Sequence, residues 1–152
     1  MANLVSMSNE DIAVAVATED MLSQLDPIEH FETWHTLHGG IYSRTIKLKE
    51  GEAIVGALIK IPTTLSISGN MKLYIGNKVE VIDGFKIIAA GKHRKQVMFA
   101  ISETYVTMSF ATKAISIEQA ESEFTDESDR LVSRLKDSIN HITIGEISCQ
   151  EQ

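Results

Sequence analysis

The most chemically loaded stretch of the chain is Lys92-His93-Arg94-Lys95, four cationic or protonatable residues in a row. A planar guanidinium flanked by ammonium groups is an anion receptor. Arg94 supplies a bidentate fork, and Lys92 and Lys95 supply point charges for a phosphate, a nucleotide or an acidic surface. The competing reading is a solvated hairpin turn, the usual setting for a short run of like charge. A second cluster, His30, His35 and His38, shares its segment with Glu32 and Trp34. Imidazoles beside a carboxylate invite a metal ion. Their spacings of five and three match no common zinc motif, however, and no cysteine or second cluster completes a ligand set. These histidines read instead as surface or edge-packed side chains of a loop leading into the first strand.

Other catalytic templates fail. The stretch from Asp83-Gly84 to Gly91-Lys92 has a faint P-loop outline, but six residues separate its glycines and neither Ser nor Thr follows Lys92. Ser66 and Ser68 stand in strand-like sequence without a neighbouring base, and no Gly-Xaa-Ser-Xaa-Gly occurs. Glu50 and Glu52 flank a turn glycine and read as solvated carboxylates. With aromatics at 6% of the chain, Tyr42, Tyr74 and Tyr105 read as core or sheet-face residues and not as a base-stacking platform.

Charge is sorted along the chain. Residues 1–43 hold seven acids and no Lys or Arg, residues 44–113 hold 11 Lys plus Arg against 5 acids, and residues 114–152 hold 3 against 9. The net charge of −7 excludes nonspecific nucleic-acid binding as a main function, because phosphate contacts need a net basic face. Acidic ends around a basic centre imply that the ends neutralise the centre, in the same chain or a neighbouring one, or that the centre meets an anion.

With 152 residues, 43% of them apolar, one globular domain is expected and extensive disorder is excluded. The lone Cys149 suits a reducing compartment. No positively charged leader opens the chain, and the longest apolar run, 53–59, is about a third of a membrane span. A cytoplasmic protein without a membrane partner is expected.

Three textures match the three charge blocks. In 1–39, an acidic helix over 9–25 carries Ile12, Val16, Met21, Leu22 and Leu25, with Ser8 or Asn9 as N-cap, and ends at Asp26-Pro27 before a lead-in loop. In 40–113, short apolar and β-branched runs at 41–48, 53–60, 65–68, 71–75, 78–82, 85–89, 96–101 and 104–111 alternate with turn residues, which predicts a β-sandwich or barrel. In 114–152, a capping box at Ser116 to Gln119 and a second N-cap at Thr125 open an acidic helical tail, whose stripe of Leu131, Val132, Leu135 and Ile139 packs on the barrel.

Eight such strands, with Gly-Xaa-Tyr-Xaa-Arg at 40–44, then Gly56, Gly69, and Ala89-Ala90-Gly91 before Arg94, resemble the cupin family, a mainly β jelly-roll or double-stranded β-helix. His30-Phe31 ahead of the first strand and the acidic segment 121–127 are similar to small cupin-like proteins of tailed bacteriophages. The resemblance spans about residues 25–135. It implies a metal site built from two nearby His, a carboxylate and a later His, but this sequence departs from it at each position. Ile59 and Thr63 stand where the two His are expected, Leu65 comes next, and the later ligand position falls on Arg94, whose guanidinium stays protonated and cannot coordinate a metal. His93 is adjacent, but strand alternation turns it to the other face.

Two functions from different classes are compatible with these residues. The first is a non-catalytic, metal-free module without a cofactor, homo-oligomeric through sheet edges or terminal helices. It would act as a virion-associated or host-directed accessory whose barrel holds or sequesters a small anionic ligand such as a nucleotide, with Arg94, Lys92, His93, Lys95 and Arg44 as its site. The second is a metal-dependent cupin enzyme of isomerase or dioxygenase type with His35, His38 and His93 as an atypical ligand set.

Overall fold

A computed structural model describes residues 3–145; Cys149 lies outside them. The chain runs β1 (Asn3–Leu4), α1 (Asn9–Leu22), β2 (Glu32–His38), β3 (Ile41–Leu48), β4 (Ala53–Val55), β5 (Thr63–Ile75), β6 (Lys78–Ala90), β7 (Val97–Ala100), β8 (Thr104–Ala111), α2 (Ile117–Phe124), two 3-10 turns (Ser128–Arg130 and Val132–Arg134) and β9 (Ile139–Ile144). The strands hydrogen-bond in the order β1-β6-β5-β8-β3-β2-β9, and β7 joins β4 to β5.

The long hairpin β5–β6 makes this a barrel. The first half of β5 pairs with β8 from Thr64 to Ser68, and its second half pairs with β7 from Met71 to Tyr74. One strand therefore serves two walls, and the change of wall falls at Gly69, which sits opposite Gly84. Both glycines have positive φ, +145° and +90°. A Cβ on Gly69 would come within 2.7 Å of the Glu103 carbonyl and closer still to the Thr104 hydroxyl, so only glycine lets the strand turn this corner. The sequence places a turn at Gly69-Asn70 and another at Asp83-Gly84. The structure has bends there, inside continuous strands.

Alternation fills the interior. Tyr42, Arg44 and Leu48 from β3, Leu65, Ile67, Met71 and Leu73 from β5, and Val106, Met108 and Phe110 from β8 all point inward and are buried. β3 and β8 coincide with their expected limits, because their period-2 pattern is unbroken. Helix α1 starts where expected, with the Ser8 hydroxyl accepting from the Asp11 N–H at 3.1 Å. Its buried face centres on Ala15, however, and Val16, Met21 and Leu25 are exposed.

Two expectations are corrected. The segment holding His35 and His38 is strand β2, antiparallel to β3, and not a lead-in loop. The tail contains helix α2, but the stripe after it does not form one helix, and only Val132 lies in a 3-10 turn. Leu131 is buried, Leu135 is exposed, and Ile139 opens strand β9, parallel to β2. Parallel pairing to an edge strand satisfies that backbone as well as a helix would, and a single short segment's periodicity does not separate the two. No helix among the described residues is long and apolar enough to cross a membrane.

Candidate functional site

The barrel walls enclose a cavity of about 130 Å³. Ile46, Leu65, Leu73, Met98, Val106 and Met108 give it a hydrocarbon lining, into which two arginines, Arg44 and Arg94, are brought from different strands. Glu19, Glu127 and Arg130, partly or largely exposed, line its solvent-side end.

Arg94 reaches the cavity because His93 adopts a left-handed conformation with φ +64°. That residue turns the chain, and Arg94 then bridges to Ile59, with Ile59 N–H donating to the Arg94 carbonyl at 2.7 Å and Arg94 N–H to the Ile59 carbonyl at 3.1 Å. The Arg94 side chain is 1% exposed. Its Nε donates to the Gly91 carbonyl, Nη1 to Gln96 Oε1 at 2.9 Å and Nη2 to Thr63 Oγ1 at 2.8 Å. All three acceptors are neutral, and among the described residues no carboxylate forms an ion pair with it. Burial pushes its pKa down to about 10. Two of its five N–H groups remain unused. The Gln96 side chain, 6% exposed, leaves its Nε2 without a partner while lining the same cavity. Ile59 and Thr63, at positions where the sequence resemblance implies histidines, thus meet Arg94.

Arg44 is held differently. Its Nη1 donates to Glu121 Oε2 at 2.9 Å and its Nη2 to Ser133 Oγ at 2.9 Å, while Arg134 grips the other oxygen of Glu121 at 2.6 Å. Glu121 is only 2% exposed, and the Arg44 guanidinium lies 5.8 Å from the centre of the Phe124 ring. At the cavity's outer end Lys95, 2% exposed, bridges Glu19 at 3.4 Å and Glu127 at 3.2 Å, and Arg130 lies 3.5 Å from each. Burial alone would push the Glu127 carboxyl up. The Leu58 N–H and the cations Lys95 and Arg130 outweigh it and hold the carboxyl below its ordinary range.

These pairs answer the question raised by the charge blocks. Arg44, Lys60 and Lys95 from the basic centre meet Glu121, Asp126, Glu19 and Glu127 from the acidic ends, within one chain. The cationic run is also corrected. Arg94 and Lys95 are buried and not a solvated turn, while Lys92 and His93 are exposed and do not line the cavity.

The alternative metal set does not assemble. His35 is buried, with Nδ1 2.8 Å from the Tyr42 hydroxyl and Nε2 2.7 Å from Asn140 Oδ1. The Asn140 amide nitrogen donates to the Ser133 carbonyl, so its oxygen accepts from His35 Nε2, and His35 Nδ1 accepts from Tyr42. Burial lowers the His35 pKa, partly offset by the Asn140 bond. His38 is exposed at the end of β2, and His93 Nε2 lies 3.3 Å from Asn9 Oδ1 at the surface. His30 is exposed in a turn. No group of three or more His, Cys, Asp or Glu suited to a metal occurs among the described residues.

Sequence reasoning missed Gln96 as a site residue and Glu121 as the partner of Arg44. Gln96 was legible in part, since it stands two residues from Arg94 and so on the same side of an extended chain. Glu121 was not, because nothing local links it to a residue 77 positions away.

No family model matches the sequence, and no curated protein matches it. Solved structures that superpose on part of the chain include a cupin superfamily protein from Desulfitobacterium hafniense, 8% identical, covering 61% of this chain and 88% of that one at a TM-score of 0.47. A cupin-2 domain containing protein from Shewanella frigidimarina is 8% identical over 66% of this chain and 97% of that one, with a TM-score of 0.44. The Cnp3 cupin domain of Schizosaccharomyces pombe is 9% identical over 55% and 60%, with a TM-score of 0.43.

Proposed function

We propose that this chain is a non-catalytic, metal-free, cupin-like binding module whose barrel holds a small anionic ligand against Arg94. The observation that carries this reading is a buried guanidinium with only neutral acceptors around it. A charge removed from water costs free energy unless a counter-charge replaces the lost solvation, and Arg94 lacks one where Arg44 has Glu121. Lys95 belongs to the outer end through its carboxylate bridges, and Arg44 contributes to the wall. Lys92 and His93 fall outside this site. The setting implied by the sequence resemblance, a virion-associated or host-directed phage accessory, remains part of the proposal.

The module is also proposed to be a homodimer through the open edge of β6. Among the described residues β6 has β5 on one side and only β1 on the other, at Ala89 and Ala90. Its side chains Val79, Val81, Phe85 and Ile87 are 49–65% exposed. A two-fold antiparallel pairing centred on Asp83 sets Val79 against Ile87, Val81 against Phe85 and Glu80 against Lys86 of a second copy, joining apolar to apolar and acid to base. Asp83 alone meets its own copy.

A thermal-shift panel of inorganic and organic anions tests the ligand reading. At least one anion class should raise the melting midpoint of the wild type and not of Arg94→Met. A stoichiometric transition metal that survives chelation would overturn it. Light scattering tests the edge. Val81→Lys should yield monomer and Asp83→Asn a tighter dimer, whereas a wild-type monomer at high concentration sinks the dimer.

A further inference from the structure

The same cavity constrains the chemical class of the ligand, an assignment that rests on the anion-binding reading. We infer that the cavity takes a compact monocarboxylate with an apolar body, its carboxylate on Arg94 and Gln96 and its hydrocarbon against the wall of Ile, Leu, Val and Met side chains.

Three features select this class. The first is donor geometry. Arg94, with two unused N–H groups, and Gln96, with a partnerless Nε2, line one cavity, and an acceptor with two oxygens matches that donor set. Thr33 Oγ1 and Asn70 Oδ1 are the other buried side-chain atoms without partners among the described residues, and neither residue lines the cavity.

The second is charge. Lys95 is balanced by Glu19 and Glu127, and Arg44 by Glu121, whose other oxygen binds Arg134, one-third exposed to solvent. One deep positive charge remains, on Arg94. A monoanion neutralises it, while a phosphate dianion or a nucleotide would bury excess negative charge among hydrocarbon.

The third is size and lining. A cavity of ~150 Å³ takes one benzene. At about 130 Å³ this one suits a ligand of about six non-hydrogen atoms, carboxylate included, and is too small for a nucleotide. Apart from Arg44, Arg94, Gln96 and the charged residues at the outer end, its lining is aliphatic, thioether and aromatic, which a polar sugar or a hydrated phosphate would not match.

The experiment titrates the full chain with butyrate, isobutyrate, butanol, inorganic phosphate and adenosine monophosphate, read by calorimetry and by methyl shifts of the cavity methionines Met98 and Met108. Butyrate or isobutyrate should bind saturably, at least tenfold tighter than butanol, and should move both methionines. Phosphate and adenosine monophosphate should not bind in the barrel. Arg94→Met should remove the preference for butyrate over butanol. Should that variant not fold, Ala57→Phe, which fills the cavity wall, should block carboxylates equally. Butanol binding as tightly as butyrate would overturn the carboxylate assignment. Adenosine monophosphate or phosphate binding at Arg94 without any carboxylate binding would overturn the class and leave the anion-binding reading standing. Failure of every anion would sink both.

Discussion

Arg44 and Arg94 line the same cavity, are both buried, and are opposite cases of how a fold accommodates a guanidinium. Around Arg44 the chain has built a complete counter-charge. Glu121 from α2 offers one oxygen to Arg44 and the other to Arg134, Ser133 takes a further donor, and Phe124 presents its ring. Around Arg94 it has built only a positioning frame of Gly91, Gln96 and Thr63, all neutral. Burial brings the Arg94 pKa down to about 10, which corresponds to roughly 3 kcal/mol of unrelieved desolvation. A closed ion network serves the fold. On the proposed reading, the open donor set is what a ligand completes, because an anion recovers what the fold left unsatisfied.

The largest effect expected is at the closed network. Glu121→Leu leaves Arg44 and Arg134 facing each other without an acid, and should cost about 3–5 kcal/mol in urea unfolding. A loss under about 1 kcal/mol would mean that Arg44 is no better compensated than Arg94, and the contrast would collapse. Converting the open site into a closed one is the sharper test. Gln96→Glu places a carboxylate on Arg94 in a charge-assisted bond worth about 1.5–3 kcal/mol, so the unliganded protein should become more stable while anion affinity is lost. Unchanged anion binding in that variant would show that the free donors are not the site.

Arg94→Met should be neutral or stabilising by about 1 kcal/mol, since relief of desolvation is offset by the Gly91, Gln96 and Thr63 acceptors left without their donor. The sign is the point, because the same change at Arg44 should destabilise.

The smallest effect concerns His35, next to Tyr42 on the Arg44 side, where burial also pushes the tyrosine hydroxyl up to about 12. The pKa of His35 is lower in the fold than its ordinary 6.5. As pH falls through 6.5 the unfolded chain takes up a proton that the folded chain refuses, so stability declines from pH 7 to pH 5. His35→Gln should flatten that decline in urea midpoints, and a slope unchanged by the substitution would assign it elsewhere. Glu127, held below its ordinary value, stabilises the fold across this whole window, and its contribution is lost only as pH falls into and below the ordinary carboxylate range.

How much of this was legible depends on whether the information was local. β3 and β8 coincide with their sequence limits because alternation runs unbroken through Tyr42-Arg44-Ile46-Leu48 and Thr104 to Ala111. β2 was hidden because two of its inward positions are Thr33 and His35, which look like loop residues until Tyr42 and Asn140 are seen to satisfy the imidazole. β5 and β6 were each cut in two because a glycine that bends a strand and a glycine that ends one have the same local signature. Arg94 itself was legible as the residue replacing an expected ligand, yet a run of Lys, His, Arg and Lys carries no mark of burial.

By itself the sequence determined the mainly β class, the N-terminal helix and its cap, and the division into acidic, basic and acidic blocks. These depend on composition, short-range periodicity and residue chemistry, which are properties of neighbours in the chain. Which cations are neutralised was decided only by the tertiary structure. Glu121 reaches Arg44 across 77 residues and Glu19 reaches Lys95 across 76, whereas no acid among the described residues reaches Arg94. Pairing of buried charge is a matter of distance in space and of exclusion of water, and neither is written in the order of residues.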